Sequence, residues 1–226
     1  MIGFAHRGAP AAGVRENTLA AFRNALERGA RALESDVWLT LDKVPVLVHD
    51  RIVRSGLRRR AISALSSADL PGWLPTLDAL YAALGNDFDF SLDVKDPAAA
   101  LPTVEVAARH GAASRLWLCA STGHVREWRA SSGEAHLVVS TSLRNGGRAM
   151  LEDRIDEAAD AGADALNLRA PEWSTERVRR CHDRSMLAFA WDVQDRARLE
   201  SIRAQGCDAI YSDFLTLIAA AQTSHD

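Results

Sequence analysis

The feature that most constrains this chain is an alternation, in which short apolar runs and longer helical patterns follow one another from end to end. "IGFAHR" (2–7) precedes "TLAAFRNALERG" (18–29), where Leu19, Phe22, Ala25 and Leu26 share one helical face and Gly29 can end the helix. "ALESDVWLT" and "VPVLVHD" come next, separated by a turn-like "LDK", and "PTLDALYAALG" reads as a capped helix, opened by Pro-Thr and closed by Gly. The rhythm continues through "DFSLDVK", "LPTVEVAARHG", "RLWLCAST", "HVREWRAS", "HLVVSTS", a helix over 149–161, "ALNLRA", a helix from Ser174, "LAFAWDV", "RARLESIRAQG", "AIYSDF" and a last apolar helix. With "VPVLVHD" counted as an extension of the second strand, eight strands result, each followed by a helix or a link. Continuous apolar strands interleaved with helices predict a parallel sheet covered on its outer face. Eight such units in 226 residues predict a single (β/α)8 TIM barrel, one domain over 1–226.

Three segments echo one another: "ERGARALESD" (27–36), "DAGADALNLRA" (160–170) and "AQGCDAIYSD" (204–213). In each, a glycine closes a helix and a small residue leads into a strand that ends in polar groups, as repeated βα units require.

Composition excludes several function classes. The formal charge of −3 gives no reason to expect nucleic acid or an anionic membrane as partner, so any anion must be held by a local arrangement of cations. Cys119, Cys181 and Cys207 are odd in number and widely spaced, which predicts packed, reduced thiols and a cytoplasmic setting. "MIGFAHRG" lacks the basic start and apolar core of a signal peptide, and no run approaches the roughly 18 apolar residues of a membrane span.

In a barrel of this kind the reacting groups stand at the C-terminal ends of the strands. His6 and Arg7 stand there on the first strand, Glu34 and Asp36 on the second, His49 and Asp50 after its extension, and Asp93 and Lys95 on the third. Glu34 and Asp36 are two apart, so both side chains take the same face of a strand, and Asp93 and Lys95 are related in the same way. Three carboxylates on adjacent strand ends call for a compensating cation, and all-oxygen donors suit a hard divalent ion, Mg²⁺ or Ca²⁺. Two histidines and two cations beside them suit phosphate ester chemistry. Ion pairs of Glu34 and Asp36 with Arg7 or Lys95 are compatible with this reading. Asn17 is expected to cap a helix beginning at Thr18, and Glu16 either approaches the site or is a loop residue. His110, His124, His136, His182 and His225 lack carboxylates at useful spacing and read as surface or helix-end residues. The basic "RSGLRRR" (54–60) reads as a solvated loop, with steering of anions the alternative. Most of the tryptophans read as ordinary core.

Taken in order, "HRG", "ENTLAAF", Glu34-Ser-Asp36, "PVLVHD", "PTLDAL" and "LDVK" resemble the glycerophosphodiester phosphodiesterases over about residues 4–95, and the later βα rhythm is similar to that family's barrel. The resemblance implies a metal-dependent hydrolase that cleaves small glycerophosphodiesters to glycerol 3-phosphate and an alcohol. It implies His6 and His49 as the acid/base pair, Glu34, Asp36 and Asp93 as ligands of one divalent ion, and Arg7 and Lys95 as the phosphate clamp. Trp191, in "WDVQ" where the family often has "WTVN", is expected at the barrel mouth. The chain departs from the family at Asp93, where glutamate is usual, a choice similar to that of the sphingomyelinase D group. It departs again in "HDR", where "HDD" is frequent. A lipid phosphodiesterase of the lysophospholipase D or sphingomyelinase D kind and a non-catalytic phosphodiester-binding barrel are the alternatives. An exposed apolar rim would mark the lipid enzyme, against which the Arg-rich segment 51–60 argues; hydrolysis itself would exclude the binding protein.

Overall fold

Eight parallel strands close into a ring in a computed structural model of the chain, which describes residues 1–55, 58–141 and 149–223. The barrel strands are β1 (Ile2–Ala5), β2 (Ala32–Leu39), β6 (Asp89–Val94), β7 (Leu116–Ala120), β8 (His136–Ser140), β9 (Ala165–Arg169), β10 (Leu187–Trp191) and β11 (Ala209–Ser212). Around the ring the order is β1, β11, β10, β9, β8, β7, β6, β2, and β2 pairs back onto β1 through Phe4↔Ala32 and Ala5↔Leu33. The expected (β/α)8 barrel is therefore present. Its outer helices are α1 (Leu19–Glu27), α2 (Leu77–Leu84), α3 (Ala100–Arg109), α4 (Thr122–Trp128), α5 (Ala149–Asp160), α6 (Thr175–Asp183), α7 (Arg196–Gln205) and α8 (Leu215–Gln222).

Alternation along the strands makes two cores. Residues facing outward pack under the helices, where Phe22, Leu33, Leu80, Phe90, Leu118, Leu166 and Ile210 belong to one buried cluster. Residues facing inward fill the barrel itself. Phe4, Ala32, Trp117, Val138, Ala165, Phe189, Ala209 and Tyr211 alternate in size around the ring, and Phe4 stacks on Tyr211 at 4.8 Å between ring centres. The lower barrel is thus packed and not a pore, and it provides the floor on which the polar strand ends stand.

The three echoing segments share one helix ending. The amides of Ala30, Ala163 and Cys207 each reach the carbonyl five residues back, those of Ala25, Ala158 and Ile202. This is the closure a left-handed residue permits, and Gly29 (φ 93°) and Gly206 (φ 87°) supply it.

Two sequence expectations are corrected here. "VPVLVHD" does not extend the second strand. Its core forms β3 (Pro45–Leu47), which doubles back antiparallel on β2 with Val37↔Leu47 and Leu39↔Pro45. A tight turn reverses the chain, with Lys43 at φ 64° and Thr40 Oγ1 accepting from the Val44 amide, a direction that apolar periodicity does not encode. "RSGLRRR" is not a plain loop, because β4 (Ile52–Ser55) and β5 (Arg58–Ala61) pair as an antiparallel ribbon with Arg54 opposite Arg59. Residues 56 and 57 and His225 lie outside the described residues. Among the described residues, no helix is long and apolar enough to cross a membrane.

Candidate active site

The end of β1 is shaped by its backbone before its side chains. Arg7, Gly8 and Ala9 all have positive φ, at 50°, 80° and 46°. Gly8 is required twice over: its φ favours glycine, and a Cβ there would meet Ala21 Cβ at 2.9 Å and Phe22 Cδ1 at 3.1 Å. The coil turns the Arg7 amide toward β2, where it donates to Glu34 Oε2 at 2.9 Å. The "HRG" turn therefore places His6, Arg7 and Glu34 together.

His6 is held from behind. Its Nδ1 lies 2.6 Å from Asp213 Oδ1, and its Nε2 lies 3.8 Å from Glu34 Oε2. Burial lowers the His6 pKa, but the Asp213 hydrogen bond and the charges of Glu34 and Asp213 outweigh it, so the net value stands above that of an ordinary histidine. The His6 hydrogen bond in turn holds Asp213 below the usual carboxylate range. Gln194 fixes the other Asp213 oxygen with a hydrogen bond of 2.7 Å. Asp213 directly follows β11, and its partnership with His6 escapes sequence reading because 207 residues separate the two. The signal was the polar end of "AIYSD".

Glu34 and Asp36 occupy contrasting environments. Glu34 is 7% exposed, and burial pushes its carboxyl up to about 7, with His6 opposing and Asp36 adding to the effect. Asp36 lies deeper, between cations: Lys95 Nζ at 3.1 Å from one oxygen and Arg7 Nε at 3.5 Å from the other. Lys95 also pairs with Asp93, which stands in register with Asp36 across β2 and β6. Burial lowers Lys95, yet Asp93 and Asp36 raise it more, so the ammonium stays charged well above neutral pH. The second Arg7 contact is Glu16, 3.0 Å from its guanidinium, so Glu16 does approach the site.

Asn17 does not cap a helix. Thr18 is the cap, accepting from the Ala21 amide, and α1 begins at Leu19. Asn17 adopts a left-handed backbone (φ 52°) that turns its amide inward, where Nδ2 donates to Asp36 Oδ2 at 3.4 Å and Oδ1 accepts from Ser35 at 2.7 Å. Asn17→Ala is expected to cost about 2 kcal/mol of unfolding free energy, since it leaves the buried Ser35 hydroxyl only a long contact to the Asp36 carbonyl and keeps the strained backbone. Urea denaturation checks this, and an unchanged midpoint would remove Asn17 from the support of the site.

These groups open onto a cavity of about 480 Å³ lined by His6, Arg7, Glu34, Asp93, Asp213 and, across the barrel, Ser140, Asn167, Trp191 and Gln194. Trp191 thus stands on the cavity wall. Asp36, Lys95 and His49 are not among the residues that line the cavity. His49 is 42% exposed, with Nδ1 at 2.9 Å from Asp50 and its carbonyl accepting from the Trp38 indole. The Val48 amide donates to the Asp36 carbonyl at 3.0 Å, which ties the His49 segment to the carboxylate strand.

Residues 6–217 match the family model described as the Glycerophosphoryl diester phosphodiesterase family. The chain belongs to this family. It is 28% identical to Probable glycerophosphodiester phosphodiesterase 2 of Mycobacterium tuberculosis, over 96% of this chain and 89% of that one. It superposes on the glycerophosphodiester phosphodiesterase of Thermotoga maritima with a TM-score of 0.82 at 22% identity, covering 98% of each chain. An Oleispira antarctica phosphodiesterase, solved in complex with the product sn-glycerol-3-phosphate, is similar with a TM-score of 0.80 at 21% identity, covering 99% of this chain and 97% of that one.

In this member of the glycerophosphoryl diester phosphodiesterase family, the cysteines are packing residues: all three are free and buried. Cys119 reaches the cavity, but burial pushes its thiol up to about 12, which removes it as a nucleophile. His110 and His182 stand at helix ends, as expected, but the fold brings each of these two a carboxylate from afar. His110 pairs with Asp78 at 3.0 Å and His182 with Asp208 at 2.8 Å, while His136 stacks on Trp117 and His124 on Trp128. Of the tryptophans, Trp117, Trp128 and Trp173 are core.

A divalent cation is consistent with the charge balance. Among the described residues, Glu16, Glu34, Asp36, Asp93 and Asp213 pair with Arg7, Lys95 and His6 alone, an excess of negative charge where an anionic diester would have to enter. Burial is the main cause of the raised Glu34 carboxyl, and Asp36 and Asp93 add to it against His6. Among the described residues no preformed group of three metal ligands is present, because Asp36 is drawn between Arg7 and Lys95. Glu34 and Asp93 do face the cavity, where their hard oxygens could hold a divalent cation.

Proposed function

We propose that this chain hydrolyses glycerophosphodiesters to glycerol 3-phosphate and an alcohol. The observation that carries the reading is His6, anchored to Asp213 and turned beside Glu34 at the mouth of a cavity that also receives Arg7. Arg7 and Lys95 offset the charge that develops on the phosphoryl oxygens as the bond to the leaving alcohol breaks and the bond to the nucleophile forms. His6, with its pKa above the ordinary value, suits proton donation to the departing alkoxide; His49, paired with Asp50, is the second proton carrier and takes the proton from the nucleophile. The nucleophile is water, or the substrate's own glycerol hydroxyl, in which case a cyclic phosphate forms as the alcohol leaves and water then opens it to glycerol 3-phosphate. Glu34, Asp36 and Asp93 would hold one divalent ion, Mg²⁺ or Ca²⁺, which when bound polarises the phosphoryl oxygens. Trp191 bounds the substrate on the cavity wall. The buried free thiols fit a reducing, cytoplasmic setting.

The test is release of glycerol 3-phosphate from a panel of glycerophosphodiesters, with EDTA and with added Mg²⁺ or Ca²⁺. No release under any condition would overturn the assignment. The ion should also raise the melting temperature, since it binds the folded state alone, by about 2–4 °C for each kcal/mol of binding linkage. Asp93→Asn should blunt that rise, and Asp93→Glu should keep it while shifting the Mg²⁺/Ca²⁺ preference. An unchanged melting curve at millimolar ion would remove the metal from the reading.

A second reading has one supporting observation. Phe214 (51% exposed) follows Asp213, and Ile52 (45% exposed) lies two residues beyond Asp50, so two exposed apolar side chains neighbour site residues along the chain. A lysophospholipase D would use such a rim to seat an acyl chain. Faster cleavage of a lysophospholipid than of its deacylated diester would favour this reading.

A further inference from the structure

The charged half of the cavity has an uncharged counterpart. In the ring of eight, β9 stands opposite β2, so Asn167 faces the wall that carries Glu34. Asn167 is only 7% exposed, and its Oδ1 is buried with no hydrogen-bond partner among the described residues, although the residue lines the cavity. Its Nδ2 donates to Ser140 Oγ at 3.4 Å on the neighbouring strand, which fixes the amide plane. Leaving a buried amide oxygen unpaired is costly, so a group that completes it is favoured on entry.

We infer that Asn167, oriented by Ser140, is a specificity residue that accepts a hydrogen bond from a hydroxyl of the glycerol arm. The inference rests on the reading of the substrate as a glycerophosphodiester. The phosphate belongs with Arg7 and Lys95 on the β1–β2–β6 side, so an arm crossing the barrel arrives at β8–β10. A fixed acceptor inside the barrel can serve only a group that every substrate carries, and in this class that group is glycerol, while the leaving alcohol varies. A hydroxyl suits the place because it both donates to the free oxygen and accepts from neighbouring donors.

The experiment compares glycerol 3-phosphate with n-propyl phosphate, which keeps the phosphate and the three-carbon arm but lacks both hydroxyls. Calorimetry on the wild-type protein is expected to show about tenfold tighter binding of glycerol 3-phosphate. Asn167→Leu, similar in size, should bring the two affinities to within about twofold by weakening glycerol 3-phosphate and not n-propyl phosphate. Should Asn167→Leu fail to fold, Ser140→Ala reads the same ratio, which should fall because the amide is no longer oriented. Equal wild-type affinities, no binding of either ester, or an undiminished ratio in a folded variant would each overturn the inference. Discrimination without hydrolysis of any diester would instead sink the catalytic reading and leave the hydroxyl site standing.

Discussion

Replacing His6 by alanine should lower kcat by at least about 10²-fold, the usual size of a general acid or base contribution, while the melting temperature stays close to wild type. The side chain is a third exposed and belongs to the cavity, so its removal opens no core void. Full activity in His6→Ala would end the assignment of this residue as a proton carrier. Asp213 gives the sharper companion test, as a positioning residue that acts through His6. In Asp213→Asn the charge behind the strongest influence raising the His6 pKa is lost and its hydrogen bond weakened to a neutral one, while burial, which lowers the pKa, remains. The limb of the pH–rate profile that reports His6 should therefore move to lower pH, with a smaller loss of kcat than in His6→Ala. A merely structural Asp213 would change stability and leave that limb in place. His49→Ala should show a loss of similar order to His6→Ala, again with little effect on folding.

Glu34→Gln should separate stability from activity. Burial raises the Glu34 carboxyl to about 7 from an unfolded value of 4.5. Below pH 4.5 the group is protonated in both folded and unfolded chains. Between 4.5 and about 7 the folded chain keeps a proton that the unfolded chain has released, so stability falls as pH rises through this window. The full cost above pH 7, up to about 3 kcal/mol, is that of a buried anion short of positive charge. Glutamine keeps the acceptor for the Arg7 amide and removes the charge. In EDTA at pH 8 the variant should melt a few degrees above wild type, at about 2–4 °C per kcal/mol, and the gain should vanish toward pH 4.5. With Mg²⁺ or Ca²⁺ the order should reverse, and turnover should fall by more than about 10²-fold. A variant less stable than wild type at pH 8 in EDTA would show that Glu34 is already fully compensated by His6 and Arg7.

What could be read from the chain depended on whether the signal was local. The eight strands announce themselves through apolar runs and glycine-closed helices, and "HRG", Glu34-Ser-Asp36 and "LDVK" lie at strand ends where a barrel displays them. Direction is not local: "VPVLVHD" looks the same whether it extends β2 or doubles back on it. Partnership across the ring is not local either, which is why Asp213, Asp78 and Asp208 went unpaired with His6, His110 and His182. Asn17 misled for a different reason. An Asx residue before a helix is the ordinary sign of a cap, and here Thr18 takes that duty while Asn17 serves Asp36.

Closure of β1 between β2 and β11 has a consequence for how activity is acquired. Ile2 to Ala5 lie in register with Ala209 to Ser212, so the first strand finds one of its neighbours only after almost all intervening chain is in place. Such a long loop is entropically slow to close, and it places the seam of the ring late in assembly. The His6–Asp213 pair straddles that seam. A nascent or partly ordered chain can hold Glu34, Asp36 and Asp93 on neighbouring strands and still lack a positioned proton carrier. Catalytic competence thus reports the final zipping of the ring, and an enzyme of this design stays silent until the whole circuit is joined.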